Sequence, residues 1–223
     1  MNNDLKKRFE KLYSGLIYDA MTFDLKISEC FVLDKTIRLQ FPYNKVVFGQ
    51  AFTCKGKKVL SEKEIDDTVR IKMFKDFFDG CIQLIDTDRD ETVAHFGDIS
   101  GRIARKFGAS AAIVDGYTRD IALLRNDKFP IFCKGVMPVD AYGKWQIVDY
   151  QTEINMLGNW GDVTVRPFDY IFGDEDSVII IKKEIVSEVC ECAEERLRKE
   201  NIVREEIFNT NDIQEVYDRI GRW

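Results

Sequence analysis

The stretch from Val93 to Arg125 constrains the fold more than any other part of the chain, because it contains two turns that each predict the start of a helix. The turn Phe96-Gly97-Asp98-Ile99-Ser100 predicts the start of a helix, with Asp98 or Ser100 as its N-cap and Gly108 at its end. The apolar run SAAIV at 110–114 predicts a buried strand, and Thr118-Arg119-Asp120 predicts the start of a second helix. Two helix N-termini therefore follow strand ends and flank one strand.

These two turns combine groups that bind small anions. A helix N-terminus offers backbone N–H groups and partial positive charge. Arg119 adds a planar guanidinium that matches a carboxylate, and Asp120 offers the hard oxygen that divalent cations prefer. The pattern indicates a site for a small oxo-acid. The alternative at this point is an ordinary solvated Arg-Asp pair at a helix start, where the helix dipole alone favours aspartate.

Composition excludes several classes of protein. The chain has 223 residues, of which 45% are hydrophobic and 32% charged, which is typical of a soluble globular protein. A net charge of −6 argues against a nucleic-acid surface, and no apolar run has the length of a membrane span or a signal core. We therefore expect a cytoplasmic protein that binds neither nucleic acid nor membrane directly.

The cysteines and the single histidine point to packing rather than chemistry. Four of the six cysteines lie in apolar, strand-like runs, and Cys190 and Cys192 are spaced to point in different directions on a helix. We expect neither a disulfide framework nor a cysteine metal site. His95 is interpreted as a strand-end residue beside Gly97 rather than as a ligand or a member of a catalytic triad.

Four further helical regions are predicted outside the central stretch. Residues 3–22 have helical spacing with a break at Ser14-Gly15, where Ser14 would cap the second piece. Ser61 and Glu64 form a capping-box pattern that predicts a helix ending at Gly80. An amphipathic helix is predicted from Glu184 to about Glu200, and a short last helix from about Asp212 to Ile220.

Strand signals complete a mixed pattern. Strands are predicted at 46–54, 81–86 and 130–133, with Gly49 indicating a bulge or a close approach, and further extended pieces fall in 29–41, 144–174 and 177–181. Helices and strands alternate through 61–134, whereas hairpin signals dominate 144–181. The chain is therefore predicted to be α/β, one mixed domain over residues 1–223 with a parallel core and an antiparallel portion.

Several of these segments together resemble a known family. They are Gly49-Gln50-Ala51-Phe52-Thr53, Phe96-Gly97-Asp98-Ile99-Ser100, Val114-Asp115-Gly116-Tyr117-Thr118-Arg119-Asp120, Val165-Arg166-Pro167-Phe168-Asp169-Tyr170 and Gly173-Asp174-Glu175-Asp176-Ser177-Val178. The sequence resembles the RraA-like family, which contains the regulator of ribonuclease activity A and the 4-hydroxy-4-methyl-2-oxoglutarate and 4-carboxy-4-hydroxy-2-oxoadipate aldolases. The resemblance implies a swivelling β/β/α fold, with a mixed sheet core and flanking helices. It also implies a homotrimer or hexamer, in which the final helices, about 184–223, pack on a neighbouring subunit.

The same resemblance implies a chemistry and assigns residues to it. The aldolases are class II lyases that use Mg²⁺ or Mn²⁺, release pyruvate from a tertiary alcohol and decarboxylate oxaloacetate. Carried over to this chain, the backbone of Gly97, Asp98, Ile99 and Ser100 would hold the pyruvyl carboxylate, Arg119 would contact the substrate, and Asp120 would bind the metal. Asp98 would also orient water near the cation. A glutamate of the final long helix would reach a neighbouring subunit's site, with Glu200 as the first choice and Glu195 as the second.

Two other hypotheses share the same motifs. The regulator branch of the family binds a ribonuclease, and its members can retain the Arg-Asp pair. The resemblance therefore also implies a non-catalytic regulator that binds a ribonuclease or helicase partner. A third hypothesis is an oligomer with a vestigial site. Ser100 stands where the aldolases commonly carry an apolar residue, at a small expected cost because backbone N–H groups act there. Tyr117 and Thr118 replace smaller residues, so a narrower or more polar pocket is expected.

Overall fold

The computed structural model describes residues 3–221 as a mixed sheet with helices packed against it. The helices are α1 (Asn3–Phe9), α2 (Ser14–Asp19), α3 (Asp67–Lys75), α4 (Asp98–Lys106), α5 (Ile121–Asn126), α6 (Val186–Asn209) and α7 (Ile213–Ile220), with a π-helical turn at Ala20–Asp24 and a 3-10 turn at Glu62–Glu64. The strands are β1 (Arg38–Leu39), β2 (Val47–Lys58), β3 (Ile82–Asp86), β4 (Ala94–Phe96), β5 (Ala111–Thr118), β6 (Ile131–Val136), β7 (Trp145–Tyr150), β8 (Ile154–Leu157), β9 (Asp162–Val165), β10 (Tyr170–Gly173) and β11 (Val178–Ile181).

The sheet has a parallel centre and antiparallel edges, in the order β1-β6-β5-β3-β2-β10-β11. Strands β2, β3, β5 and β6 run parallel, while β10, β11 and β1 are added antiparallel. Strand β4 pairs in parallel with the end of β5, β7 pairs antiparallel with β2, and β8 and β9 form a separate ribbon. The predicted α/β class, with a mixed sheet core and flanking helices, is confirmed.

The central strands have almost continuously apolar sequences because they are buried on both faces. Every residue of β3 is buried, and β5 is buried except at Tyr117, because parallel strands are covered on both faces. One face packs against α3, α4 and α5, and the chain's first helices pack with α6 on another part of the sheet. Gly49 makes the close approach that its position predicted, since a Cβ there would lie 2.5 Å from the Gly80 carbonyl oxygen.

Two predicted helix caps outside the central stretch, residues 93–125, are wrong. The capping box at Ser61 produces only the short 3-10 turn, because Ile65 returns to an extended backbone and stops the helix. Helix α3 begins instead at Asp67, where the carboxylate of Asp66 accepts the Thr68 N–H at 2.9 Å. Likewise Ser14 is the first residue of α2 and not its cap, because its N–H donates to the carboxylate of Asp174 at 2.8 Å.

The long C-terminal helix extends further than predicted, whereas the short last helix lies where it was predicted. Helix α6 runs 24 residues, and its first half buries Val189, Cys190 and Ala193 against α1 and α2. Among residues 3–221, no helix is both long and apolar enough to cross a membrane. The predicted packing of residues 184–223 on a neighbouring subunit is not tested by a single chain, and the last two residues lie outside the described range.

Candidate active site

The predicted turn and the Arg-Asp pair meet at one edge of the sheet. Strand β4 aligns Phe96 with Thr118, and the Phe96 carbonyl accepts hydrogen bonds from the Thr118 hydroxyl at 3.0 Å and the Arg119 N–H at 2.9 Å. Because the two strands are parallel, the helices that follow them begin side by side at the same edge. Thr118 itself ends β5, and α5 begins only at Ile121, three residues later than predicted.

The N-cap of helix α4 lies one residue before the first of the two predicted caps, Asp98 and Ser100. Gly97 is the N-cap, with an extended backbone, and its carbonyl accepts the Gly101 N–H at 3.0 Å. Asp98 and Ser100 therefore both lie inside the first turn, where the carboxylate of Asp98 is 3.6 Å from Arg102. Gly97 has no side chain that could cap the helix, and the Asp98 N–H donates to the Asp120 carboxylate, so the remaining first-turn N–H groups are left for a ligand at the edge.

Gly97 is the residue that allows Asp120 to lie against this turn. A Cβ at Gly97 would be 2.7 Å from the Asp120 carboxylate and 3.2 Å from the Arg119 side chain. The Asp98 N–H donates to the same Asp120 carboxylate at 3.3 Å. Asp120 has a left-handed backbone, with φ +61°, which is uncommon for a residue other than glycine and typical of turns and functional sites. The turn and the carboxylate are thus one compact unit.

Arg119 stands between two carboxylates. Its Nε lies 3.5 Å from Asp120, and its Nη1 lies 3.4 Å from Asp140. Neither the Arg119 nor the Asp120 side chain is buried, since each keeps about a third of its surface exposed. Sequence reasoning missed Asp140. The available signal was its place shortly after β6, because the carboxyl ends of parallel neighbours meet at one edge.

All of these groups line one cavity, which we call the edge cavity, with a volume of about 400 Å³. The predicted residues Gly97, Asp98, Ile99, Ser100, Arg119 and Asp120 form one wall. The other wall, which the sequence did not predict, comes from α3, β3, β7 and their flanks and includes Asp66, Asp67, Arg70, Phe74, Gln83, Trp145 and Ile147. Five aspartates and two arginines line the cavity, so it carries excess negative charge.

That charge fits a bound cation better than a free anion. Mg²⁺ is commonly held by one or two carboxylates, with water or substrate oxygens at its other positions. Asp120 offers an accessible carboxylate at the cavity, and the Asp98 carboxylate lines the same wall. Within residues 3–221, no group of three or more His, Cys, Asp or Glu is arranged as a metal site.

His95 lies in the middle of β4, where it is one of the residues that line the edge cavity, and its side chain is fully buried. Its Nε2 is 3.0 Å from Asp90, and its Nδ1 accepts the Tyr117 N–H at 3.3 Å, so Nε2 carries the proton. Burial lowers the pKa of His95, and the Asp90 hydrogen bond only partly opposes this. Burial alone would raise the pKa of Asp90, but hydrogen bonds led by Lys58 outweigh it and lower that pKa. The structural interpretation of His95 agrees with this geometry.

Glu200 lies outside the edge cavity of its own chain. It sits on α6, where its carboxylate accepts hydrogen bonds from Tyr13 and Arg204. Burial, with the Glu200 hydrogen bond, raises the pKa of Tyr13. Glu195, the second choice, is exposed and paired with Arg198. The prediction that one of these glutamates completes a neighbouring subunit's site is not tested by one chain.

Comparison with known proteins identifies the family. The model of the RraA-like family, described as Aldolase/RraA, matches residues 16–180. The chain belongs to the RraA-like family. The match covers β1 to β10 and all but the last residue of β11, and it includes the residues of both walls of the edge cavity.

Individual relatives include proteins with and without an assigned activity. An uncharacterized protein of Methanocaldococcus jannaschii is 31% identical over 77% of this chain and 78% of its own length. A protein of Halalkalibacterium halodurans, provisionally named as a 4-hydroxy-4-methyl-2-oxoglutarate aldolase, is 35% identical over 53% of this chain and 54% of its own length.

A solved structure extends the likeness of fold over nearly the whole chain. RraAS2 of Streptomyces coelicolor, described as an unusual member of the RNase ES inhibitor RraA protein family, superposes with a TM-score of 0.76 at 19% identity. The superposition covers 92% of this chain and 97% of that one, and it shows a shared fold.

Proposed function

We propose that this chain is a divalent-metal-dependent lyase that acts on pyruvyl-type oxo-acids. Its reactions would be aldol cleavage of substrates like 4-hydroxy-4-methyl-2-oxoglutarate and decarboxylation of oxaloacetate. The observation that carries the proposal is the convergence of the α4 N-terminus, Arg119 and Asp120 on one cavity. Aldolase names among the relatives support the same reaction class.

Asp120 is the residue that we propose holds the cation, Mg²⁺ or Mn²⁺. Its carboxylate is accessible, and its contacts at 3.3 and 3.5 Å are too long to make it a locked ion pair. Asp98 lines the same wall of the cavity and would orient water there. When bound, the metal supplies a Lewis acid that stabilises negative charge developing on the substrate's oxygen.

The chain's own groups bind and orient the substrate. First-turn N–H groups of α4, from Gly97 to Ser100, would hold the pyruvyl carboxylate, and the Arg119 guanidinium would contact the substrate beside it. In aldol cleavage the C4 hydroxyl loses its proton, the C3–C4 bond breaks, and its electron pair leaves a pyruvate enolate that takes a proton at C3. In oxaloacetate, CO₂ leaves and yields the same enolate, so one site serves both reactions.

The proton of the C4 hydroxyl requires a base. We assign this role to Glu200 of a neighbouring subunit, because it lies on the exposed second half of α6. Its present partners, Tyr13 and Arg204, would fix its position there. Oxaloacetate decarboxylation has no hydroxyl proton to remove, so Glu200→Gln should impair aldol cleavage more than decarboxylation.

The test is direct. Purified protein is incubated with oxaloacetate and Mg²⁺ or Mn²⁺, and pyruvate is followed against the same metal without protein, since the metal alone decarboxylates slowly. We expect protein-dependent pyruvate that is lost with a chelator and restored by added metal. Arg119→Met should raise KM strongly while leaving the fold intact. Turnover that survives both the chelator and Arg119→Met would refute the proposal.

The regulator hypothesis gives the opposite result. A non-catalytic regulator would form no pyruvate, and a ribonuclease partner would bind it whether or not Asp120 is intact. A pull-down with wild-type protein and Asp120→Ala, run beside the pyruvate assay, therefore separates the two functions.

A further inference from the structure

The edge cavity is much longer than a pyruvyl group. Its near end is at Phe96, which pairs with Thr118 on β5, whereas its far end reaches Gln83, which pairs with Ala112 on the same strand. Ala112 and Thr118 are six residues apart on one strand, and at about 3.3 Å per residue their backbones are roughly 20 Å apart. A three-carbon oxo-acid at the α4 N-terminus would leave the far part of the cavity empty.

The far part of the edge cavity has apolar walls. Phe74 of α3, Ile85 of β3, and Trp145 and Ile147 of β7 line it, and all four side chains are buried in the main core cluster. Trp145 is held in place because its indole N–H donates to the Thr87 carbonyl at 3.0 Å. Such walls bind hydrocarbon and offer nothing to a second carboxylate.

Gln83 is the exception in this apolar region. It is 1% exposed, and its Nε2 faces only sulphur atoms, at 3.6 Å from Cys54 Sγ and 3.8 Å from Met73 Sδ. Among residues 3–221 its Oε1 has no hydrogen-bond partner. Turning the amide over would only exchange the two ends, so one end lacks a strong partner either way. A buried amide with a free end in a cavity wall is a binding group for a polar atom of a ligand.

The mouth beside α3 disfavours a negatively charged tail. Asp66 and Asp67 both line it, and the one arginine there, Arg70, is already paired with Asp67 at 3.0 Å. A carboxylate placed on this side would meet more negative than positive charge.

Resting on the proposed function, we propose that the substrate is a 4-hydroxy-2-oxo acid whose C4 carries a long, uncharged tail. The tail is apolar along the walls formed by α3 and β7, and it ends in a hydroxyl or similar group that bonds to Gln83. Cleavage breaks C3–C4, converts the C4 hydroxyl into the carbonyl of a long-chain aldehyde or ketone, and releases pyruvate after protonation at C3. The edge cavity thus selects substrates by the length and polarity of the tail.

The test measures binding rather than turnover. Pyruvate, 2-oxodecanoate and 10-hydroxy-2-oxodecanoate are titrated calorimetrically into the full chain with Mg²⁺; none of them has the C4 hydroxyl needed for cleavage. Since each buried methylene strengthens binding by about fourfold, we expect 2-oxodecanoate to bind at least about 30-fold more tightly than pyruvate. The terminal hydroxyl should add about fivefold, which is typical of one net hydrogen bond.

Two variants locate the effect. Gln83→Leu should abolish the gain from the terminal hydroxyl and leave pyruvate binding unchanged. Phe74→Trp should fill the far part and weaken both long probes about tenfold or more. Phe107→Trp, at an exposed position of α4's end outside the cavity, is the matched control and should change neither. Near-ultraviolet circular dichroism checks that each variant is folded.

The outcomes separate the two proposals. If pyruvate binds with Mg²⁺ but the long probes bind no more tightly, the tail proposal is overturned while the lyase proposal stands. If the long probes bind tightly and Gln83→Leu retains the hydroxyl gain, Gln83 is not the recognising group. If pyruvate neither binds with Mg²⁺ nor forms from oxaloacetate, the proposed function itself has failed.

Discussion

Asp115 and Asp120 are five residues apart in the segment 114–120, which we call the motif, yet the first carboxylate is buried and the second is accessible. Asp115 is buried, its carboxylate accepts the Leu157 N–H at 2.7 Å, and it forms ion pairs with Lys134 at 3.0 Å and Arg89 at 3.4 Å. Asp120 is about a third exposed, and its nearest polar contacts are longer. A carboxylate whose partners are all in the chain stabilises the fold, whereas one left accessible at a cavity can bind a ligand.

An irregularity in strand β5, which contains Asp115 and ends at Thr118, accompanies this difference in exposure. The pairing of β5 with β6 shifts register between Val114 and Tyr117, which is where the motif passes from buried to accessible. Gly116 is required at the shift, because a Cβ there would lie 2.5 Å from Nδ1 of His95. The His95 ring therefore fills the space beside Gly116 and links the two halves of the motif.

The largest effect is expected at the accessible carboxylate. Asp120→Asn should lower oxaloacetate decarboxylation about 1,000-fold, because a metal ligand contributes several kcal/mol of charge stabilisation. Stability should change by less than about 0.5 kcal/mol, since the site is exposed and asparagine tolerates the left-handed backbone. Steady-state kinetics and urea unfolding measure the two quantities. Asp140→Asn, in the same cavity, is the control, and its decarboxylation rate should fall less than about tenfold. An equal fall in the two variants would show that Asp120 is not the metal ligand.

The buried carboxylate should show the reverse. Asp115→Ala should lower the free energy of unfolding by about 3–5 kcal/mol, because it leaves the Lys134 ammonium and the Leu157 N–H without their buried partner. Urea unfolding followed by circular dichroism measures the loss. The double variant Asp115→Leu/Lys134→Met should recover part of it. A loss below about 1 kcal/mol in Asp115→Ala would show that the motif's two carboxylates are not specialised.

Gly97→Ala tests how closely the turn and Asp120 fit. The new methyl would lie 2.7 Å from the Asp120 carboxylate, so that carboxylate must move, and we expect activity to fall about 30-fold. The extended backbone at Gly97 accepts alanine, so the melting temperature should change little. Gly15→Ala is the matched control: its methyl would meet only the Tyr13 ring at 3.5 Å and should leave activity unchanged. Equal activity in the two variants would contradict the geometry.

Local patterns predicted the near wall of the edge cavity, and long-range contacts explain what they missed. The Gly97 turn, the Arg119-Asp120 pair and the buried strand between them depend on short-range signals, and all lie as expected. The far wall depends on where α3 starts. The capping-box pattern at Ser61 placed that start five residues too early, because Asp66 was a competing cap that the sequence alone did not rank. Gln83 is inside an apolar run, and only the fold shows its amide beside a cavity.

The smallest effect concerns His95, which joins the two halves of the motif. Burial holds the pKa of His95 below its ordinary value of about 6.5, so the folded chain binds its proton less readily than the unfolded chain. The stability contributed by neutral His95 is therefore complete above about pH 6.5 and is lost as the pH falls toward the folded-state pKa. We expect the free energy of unfolding to drop by about 1 kcal/mol between pH 7 and 5.5. Urea unfolding across that range should show a flatter profile for His95→Gln than for the wild type. Parallel profiles would mean that the imidazole is not the titrating group.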